Sequence, residues 1–314
     1  MNAGRHVLVT GGAGFVGSLL AQRLISDGFA VTIVDDLSNG KQSNLPEAAT
    51  FVQADLAEES TYRRLADTRF DVIFHVAAQA SNAISMREPV RDLASNQIAT
   101  LLLLEYARQS GCERFLFTSS MSAYGEASSF PTDESEPLRP RSPYAIHKAA
   151  CEEYLRVYGT EFGIRWTAFR LYTTYGGGQN LDNLDQGLLS IYLAYLARRE
   201  PILVKGSLER KRDIVHVSDV VNALATVVDQ ERTYGRVYNL CSGESRTIGE
   251  LLRALIRETG EDPDSYPVVV EDGTPGDPWQ THGSYRAAEA DFGFVPRISP
   301  LEGVRLTARA LQGV

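Results

Sequence analysis

The apolar run His6-Val7-Leu8-Val9 leads straight into Thr10-Gly11-Gly12-Ala13-Gly14-Phe15-Val16-Gly17, and this junction constrains the chain more than any other stretch. A strand that ends in glycines at this spacing and continues as a helix is the turn that opens a βαβ unit. Gly11 permits the tight turn, Gly14 lets backbone approach a pyrophosphate, and Gly17 lets the helix lie close to the strand. The helix N-terminus then faces the phosphate charge. A dinucleotide is the expected ligand. The second strand, Val31-Thr32-Ile33-Val34, ends at the expected distance in Asp35-Asp36. A carboxylate there accepts hydrogen bonds from both ribose hydroxyls and repels a 2′-phosphate, which favours NAD over NADP. Asp35, directly after the apolar run, is chosen over Asp36. Asp55, after Phe51-Val52-Gln53-Ala54, is placed to meet the adenine edge.

The first half repeats this rhythm. Strands are expected near 5–10, 30–35, 50–53, 71–75, 113–118 and 165–170, with helices near 15–27, 57–67, 86–110 and 143–162. Helices of that length serve as crossovers between parallel strands. The run Leu101 to Leu104 is too apolar for a solvent-facing helix and is expected in the core or against a partner subunit. After about residue 172 the pattern loosens, with a helix near 185–199, short strands and a basic loop. The expected architecture is α/β: a Rossmann-type doubly wound parallel sheet with a smaller, mixed α/β substrate domain towards the C-terminus. Residues 1–172 with about 213–235 are assigned to the first unit, the latter as strand plus helix returning to the main sheet. About 173–212 and 236–314 are assigned to the second.

Composition narrows the partners. A chain of 314 residues, 43% hydrophobic and 23% charged, can bury a sizeable core. Its net charge of −9 offers no general attraction for nucleic acid or an anionic membrane. No apolar run approaches the ~18 residues of a membrane span, and residues 1–5 run directly into the first strand, so a cytoplasmic chain without membrane insertion is expected. Cys112, Cys151 and Cys241 lack metal-ligand or paired spacing. They are expected as buried small hydrophobes, with no metal site.

Tyr144-Ala145-Ile146-His147-Lys148 sets a phenol and an ammonium four residues apart, on one face of a helix entered through Ser142-Pro143. A phenol of ordinary pKa near ~10 is a poor base at neutral pH, but an adjacent cation stabilises phenolate. Upstream, the strand Arg114-Phe115-Leu116-Phe117-Thr118 ends in Ser119-Ser120-Met121-Ser122-Ala123-Tyr124-Gly125. Those hydroxyls lie where open α/β sheets bind ligands, at the carboxyl end of a parallel strand.

Together, TGGAGFVG, VDDLSNG at 34–40, SSMSAYG at 119–125 and YAIHK at 144–148 resemble the extended short-chain dehydrogenases/reductases, in particular the NAD-dependent nucleotide-sugar epimerase/dehydratase group. Further parts of the resemblance are Phe74-His75-Val76-Ala77-Ala78, Asn96, Arg170 ahead of Tyr175-Gly176, Arg212-Asp213, and Pro275-Gly276-Asp277. The resemblance implies Ser120, Tyr144 and Lys148 as catalytic residues, with Lys148 also holding the nicotinamide ribose and Ser122 as an auxiliary hydroxyl. For NAD it implies the turn residues Gly11, Gly14, Phe15, Val16 and Gly17. It adds Asp35, Asp36, Ser38, Asn39 and Gly40 along the second strand and its loop. Asp55 and Leu56, then Ala77, Ala78, Gln79 and Asn96, complete the implied cofactor contacts.

On the substrate side, dehydrating relatives carry an Asp-Glu pair after the catalytic Thr and decarboxylating relatives Ser-Glu; this chain has Met121 and Ser122. Neither supplies that acid, and a thioether neither donates nor accepts a proton usefully. Epimerisation through a transient C4 ketone is therefore the expected reaction, with a 4-keto-sugar reductase and a catalytically silent NAD-binding regulator as alternatives. Thr173 replaces an expected Asn and Thr274 an expected Arg, while Arg212 remains as diphosphate clamp and Asp277 closes its motif. Ser81, Asn180 and Lys205 are sugar-side candidates, and Arg210 and Lys211 are expected as solvated loop. Thr281 falls where a small residue would admit N-acetylated sugars. His75 and His147 are expected in structural roles without a ligand partner; His216 and His282 are left undecided. The resemblance also implies a homodimer formed through helices near 92–110 and 144–162, although a monomer core would have the same composition.

Overall fold

The computed structural model describes residues 4–311, apart from the side chains of 310 and 311. Residues 1–3, with the expectation attached to the start of the chain, lie outside the described residues. In chain order the first half runs β1 (His6–Thr10), α1 (Phe15–Ser26), β2 (Ala30–Asp35), β3 (Thr50–Gln53), α2 (Glu59–Arg64) and β4 (Val72–His75). It continues α3 (Asn82–Arg87), α4 (Pro89–Leu93), a π turn (Ala94–Ile98), α5 (Ala99–Ser110), β5 (Arg114–Ser120), α6 (Pro143–Phe162) and β6 (Arg165–Leu171). The remainder is β7 (Thr173–Tyr175), α7 (Leu188–Arg198), β8 (Ile202–Lys205), β9 (Lys211–His216), α8 (Val217–Thr226) and β10 (Arg236–Leu240). Last come β11 (Ser245–Thr247), α9 (Ile248–Glu258), β12 (Val268–Glu271), α10 (Arg286–Phe292) and α11 (Pro300–Leu311).

The main sheet has seven parallel strands in the order β10-β6-β5-β4-β1-β2-β3. Alternation of side chains sends Val7 and Val9 into one core with α1 and α8, and Leu8 into the other with α5 and α6. Burial on both faces is why these strands read as near-continuous apolar runs. Strand order reverses between β1 and β4, so the crevice for a ligand lies at their carboxyl ends. A third core joins α7, α9 and α11 to the small sheets β11-β9-β7 and β12-β8.

Three expectations change. The helix near 86–110 is divided at Glu88-Pro89, because proline lacks the N–H and its ring disfavours helical backbone at Glu88, which has φ −131°. The strand expected to return to the main sheet between 213 and 235 pairs instead as β9 with β7 and β11. The seventh main-sheet strand is β10, parallel to β6. Only the helix of the 213–235 segment, α8, packs in the main layer, against α1 through Val220, Val221 and Leu224. Of the leucine run, Leu103 and Leu104 are fully buried in the core while Leu101 and Leu102 are half-buried. All three cysteines are buried and free.

Candidate active site

Gly11 adopts φ +70°, and a Cβ on it would lie 2.7 Å from the backbone of Ala77. A Cβ on Gly17 would fall inside contact distance of the Gly11 carbonyl, so α1 can lie this close to β1 only with glycine there. Gly14 begins α1 without a side-chain cap, which leaves the first N–H groups of the helix for an anion. Phe15 and Val16 are half-buried beside them. Asp35 is buried: Oδ2 accepts from the Ala13 amide at 3.0 Å and Oδ1 from the Leu37 amide at 2.8 Å. Burial raises its pKa, and the two amides oppose that rise. Each oxygen keeps a second lone pair for a ribose hydroxyl. Asp36 is exposed and turns back to Ser38, whose amide and hydroxyl it accepts. Gly40 lies against Ala13, where a Cβ would clash with the carbonyl carbon at 2.7 Å. Asp55 is exposed and accepts from the Ala57 amide at 2.8 Å, while Leu56 is buried.

The loop after β7 clasps this region. Asn39 donates to Gln186 at 3.0 Å and accepts from Asn183 at 2.8 Å, and Lys41 pairs with Asp182 at 2.8 Å. Asn180, expected on the sugar side, donates to the Asn39 carbonyl at 3.4 Å and so stands beside the cofactor loop.

The catalytic candidates converge across β5 and α6. Ser142 caps α6 by accepting from the Ala145 amide, Pro143 occupies the first turn, and Tyr144 follows buried against the sheet. One turn on, Lys148 donates from Nζ to the Thr118 carbonyl at 2.9 Å and lies over Phe117, 5.9 Å from the Tyr144 ring centre. Burial lowers the Lys148 pKa to about 8 and raises that of Tyr144 to about 12, the latter opposed by a hydrogen bond with Ser120. Ser120 ends β5 with its Oγ 3.0 Å from that of Ser122. A phenol, a hydroxyl and a buried ammonium therefore face one point, an arrangement suited to moving a proton between Tyr144 and an alcohol.

His147 has a partner that sequence reasoning missed. Its Nδ1 is 2.6 Å from Oδ2 of the fully buried Asp92. Asp92 Oδ1 accepts from Gln79 at 2.6 Å and from Asn96 at 3.0 Å, which ties two cofactor candidates to α6. Asn96 Oδ1 is buried and lacks a partner among the described residues. The signal available was slight: Asp92 and Asn96 are four apart, and nothing local links them to His147. Ala77 is held by Thr10, whose Oγ1 accepts its amide, and Ala78 follows half-buried. His75 is fully buried between Thr10 and Thr100, its pKa lowered to about 3 by burial, and is neutral at ordinary pH. His216 caps α8, and His282 bonds the Gly243 carbonyl.

The sugar-side candidates separate. Ser81 is buried and caps α3, which commits its oxygen to the Ile84 amide. Lys205 is exposed at the end of β8, Thr173 is half-buried opposite Ile214, and the Thr274 carbonyl accepts from the Asp277 amide. Thr281 is buried and accepts from the Asp213 amide at 3.0 Å. Arg212 is buried and donates to Asp277 at 3.0 Å. Arg210, expected in solvent, is also buried and bound to Asp277; the length of its stem lets it fold inward against Gly206, while Lys211 stays exposed.

The profile of the NAD dependent epimerase/dehydratase family matches residues 7–241. UDP-glucose 4-epimerase of Mycolicibacterium smegmatis is 32% identical over 310 residues, 96% of this chain and 97% of the relative. A crystal structure of UDP-glucose 4-epimerase with UDP-glucose from Thermotoga maritima superposes with a TM-score of 0.93 at 36% identity, covering 98% of this chain and 99% of that one. The Thermus thermophilus UDP-glucose 4-epimerase complex with NAD superposes with a TM-score of 0.91 at 34% identity, covering the same shares. Among the described residues no helix is long and apolar enough to cross a membrane, and no cluster of ligating side chains could hold a metal.

Proposed function

The chain belongs to the NAD-dependent epimerase/dehydratase family, and within it we propose a nucleotide-sugar 4-epimerase that takes a UDP-hexose or UDP-N-acetylhexosamine. NAD is the cofactor, and the residues present fit it: a glycine turn that a Cβ would fill, a buried carboxylate at the end of β2, and an unpaired acceptor on Asn96. When bound, NAD would supply the acceptor and donor of hydride for the sugar carbon. The chain itself handles the proton. Tyr144 takes it from the C4 hydroxyl, Ser120 holds the same oxygen, and Lys148, anchored to Thr118, keeps positive charge beside the phenolate.

The observation that carries this reading is the pairing of an intact Ser120/Tyr144/Lys148 set with Met121 and Ser122 in the two positions that follow Ser120. Dehydration needs a second acid/base pair that those side chains do not supply. Incubation of the purified protein with UDP, dTDP, GDP and CDP sugars, followed by NMR, is expected to give a C4 epimer of one of them with no net change in reduced nicotinamide. Stoichiometric consumption of reduced nicotinamide with a keto-sugar points instead to a reductase; inertness towards every sugar points to the regulatory alternative.

A cytoplasmic homodimer is part of the same proposal. Ile98 on the π turn and Ile146, Val157 and Phe162 on α6 are exposed on neighbouring helices, an apolar surface suited to helix packing between two copies. Light scattering is expected to give a dimer mass, and a monomer at micromolar concentration counts against it.

A further inference from the structure

Beside the catalytic helix lies a buried positive charge that its protein partner does not balance. Arg210 and Arg212 are both buried, and both donate to the single carboxylate of Asp277. Arg212 Nη1 also donates to the carbonyls of Lys211 and Trp279, and Arg210 Nη1 to that of Lys205 at 2.8 Å. Arg210 Nε is buried with no partner among the described residues. Two guanidiniums against one carboxylate leave a net positive charge together with an unused donor. Buried charge persists where it is paired and hydrogen-bonded, so the cluster is complete only with another anion.

The segment carrying Asp277 is fastened to the entrance of α6. A Cβ on Gly276 would lie 2.5 Å from the carbonyl oxygen of Arg141, the residue before the Ser142 cap. The Trp279 amide donates to Glu126, which also pairs with Arg141 at 3.3 Å. That same segment offers Thr274, not a cation, ahead of Asp277.

We propose that Arg210 is a second diphosphate-binding residue, acting with Arg212 on the nucleoside diphosphate half of the substrate and supplying the cation that the segment before Asp277 lacks. This rests on the nucleotide-sugar reading of the site. A phosphate oxygen accepts from the unused Nε, and the planar guanidinium suits it because its donors diverge in a fixed fork.

Calorimetric titration of the NAD-loaded protein with UDP, dTDP, GDP and CDP, and with the matching monophosphates, tests it. For the diphosphate that binds the wild type, Arg210→Gln is expected to weaken affinity by about 10- to 100-fold, with a much smaller loss for the monophosphate. Arg210→Lys, which keeps the charge but not the fork, is expected to fall between. NAD content and the melting profile report on the fold; should the Gln variant lose either, the Lys variant carries the same comparison. Equal losses for mono- and diphosphate, or none, overturn the role of Arg210 and leave the nucleotide-sugar reading intact. Failure of the wild type to bind any of the four diphosphates overturns both.

Discussion

Tyr144→Phe is expected to lower turnover by about a hundred- to ten-thousand-fold while the protein still carries NAD, because it deletes the proton acceptor and leaves the ring that packs behind it. In the protein alone, burial pushes the phenol up to about 12, and its hydrogen bond with Ser120 opposes the rise. Lys148 is pushed down to about 8 by burial, so it remains mostly ammonium at neutral pH. The hydroxyl deleted from Tyr144 does not support Lys148, whose Nζ is held by Thr118. Turnover measured with the substrate found by NMR, alongside NAD released on denaturation, checks both halves; near-normal turnover sinks the assignment. The sign of a companion effect follows. Lys148→Met removes the cation that favours phenolate, so the Tyr144 pKa rises and the acid limb of the pH–rate profile moves to higher pH.

The second large effect is expected at Gly17→Val. Its Cβ would overlap the Gly11 carbonyl and come within 2.9 Å of the Gly12 Cα, and both obstacles are backbone. The clash forces α1 away from β1 and carries with it the N–H groups that its uncapped first turn leaves for an anion. A loss of about 1–3 kcal/mol of stability and most of the bound NAD is expected. Gly14→Ala serves as the contrast. Gly14 has φ −81°, and its Cβ would meet only the Gly11 carbonyl oxygen, at 3.2 Å. That variant is expected to lose NAD, since the methyl group would occupy the approach to the pyrophosphate, while its NAD-free form melts as the NAD-free wild type does. Cofactor content and thermal melts separate the two; a Gly17→Val protein with full NAD and an unchanged melt refutes the packing argument.

The Asp92 junction shows why some of the site was hidden. Asp92, Gln79, Asn96 and His147 belong to three segments of the chain and meet only because α4, the π turn and α6 pack together. In the sequence His147 is simply one residue before a lysine. Arg210 is a similar case: five of the seven residues from 207 to 213 are charged, a pattern that suggests solvent, and only the return of the chain at Asp277 draws it inside.

What this sequence determined by itself were features whose physics is local. The glycine turn needs backbone without Cβ at set intervals, strands buried on both faces need unbroken apolar runs, and Tyr144 and Lys148 share a helix face because they are four apart. What only the tertiary structure decided were choices between distant partners: β10, not β9, beside β6; one carboxylate between Arg210 and Arg212; and a buried acid for His147. Periodicity records which face a residue turns inward. It carries no record of which segment, a hundred residues away, will be waiting there, because that is settled when the layers close and each buried charge must find a counterpart.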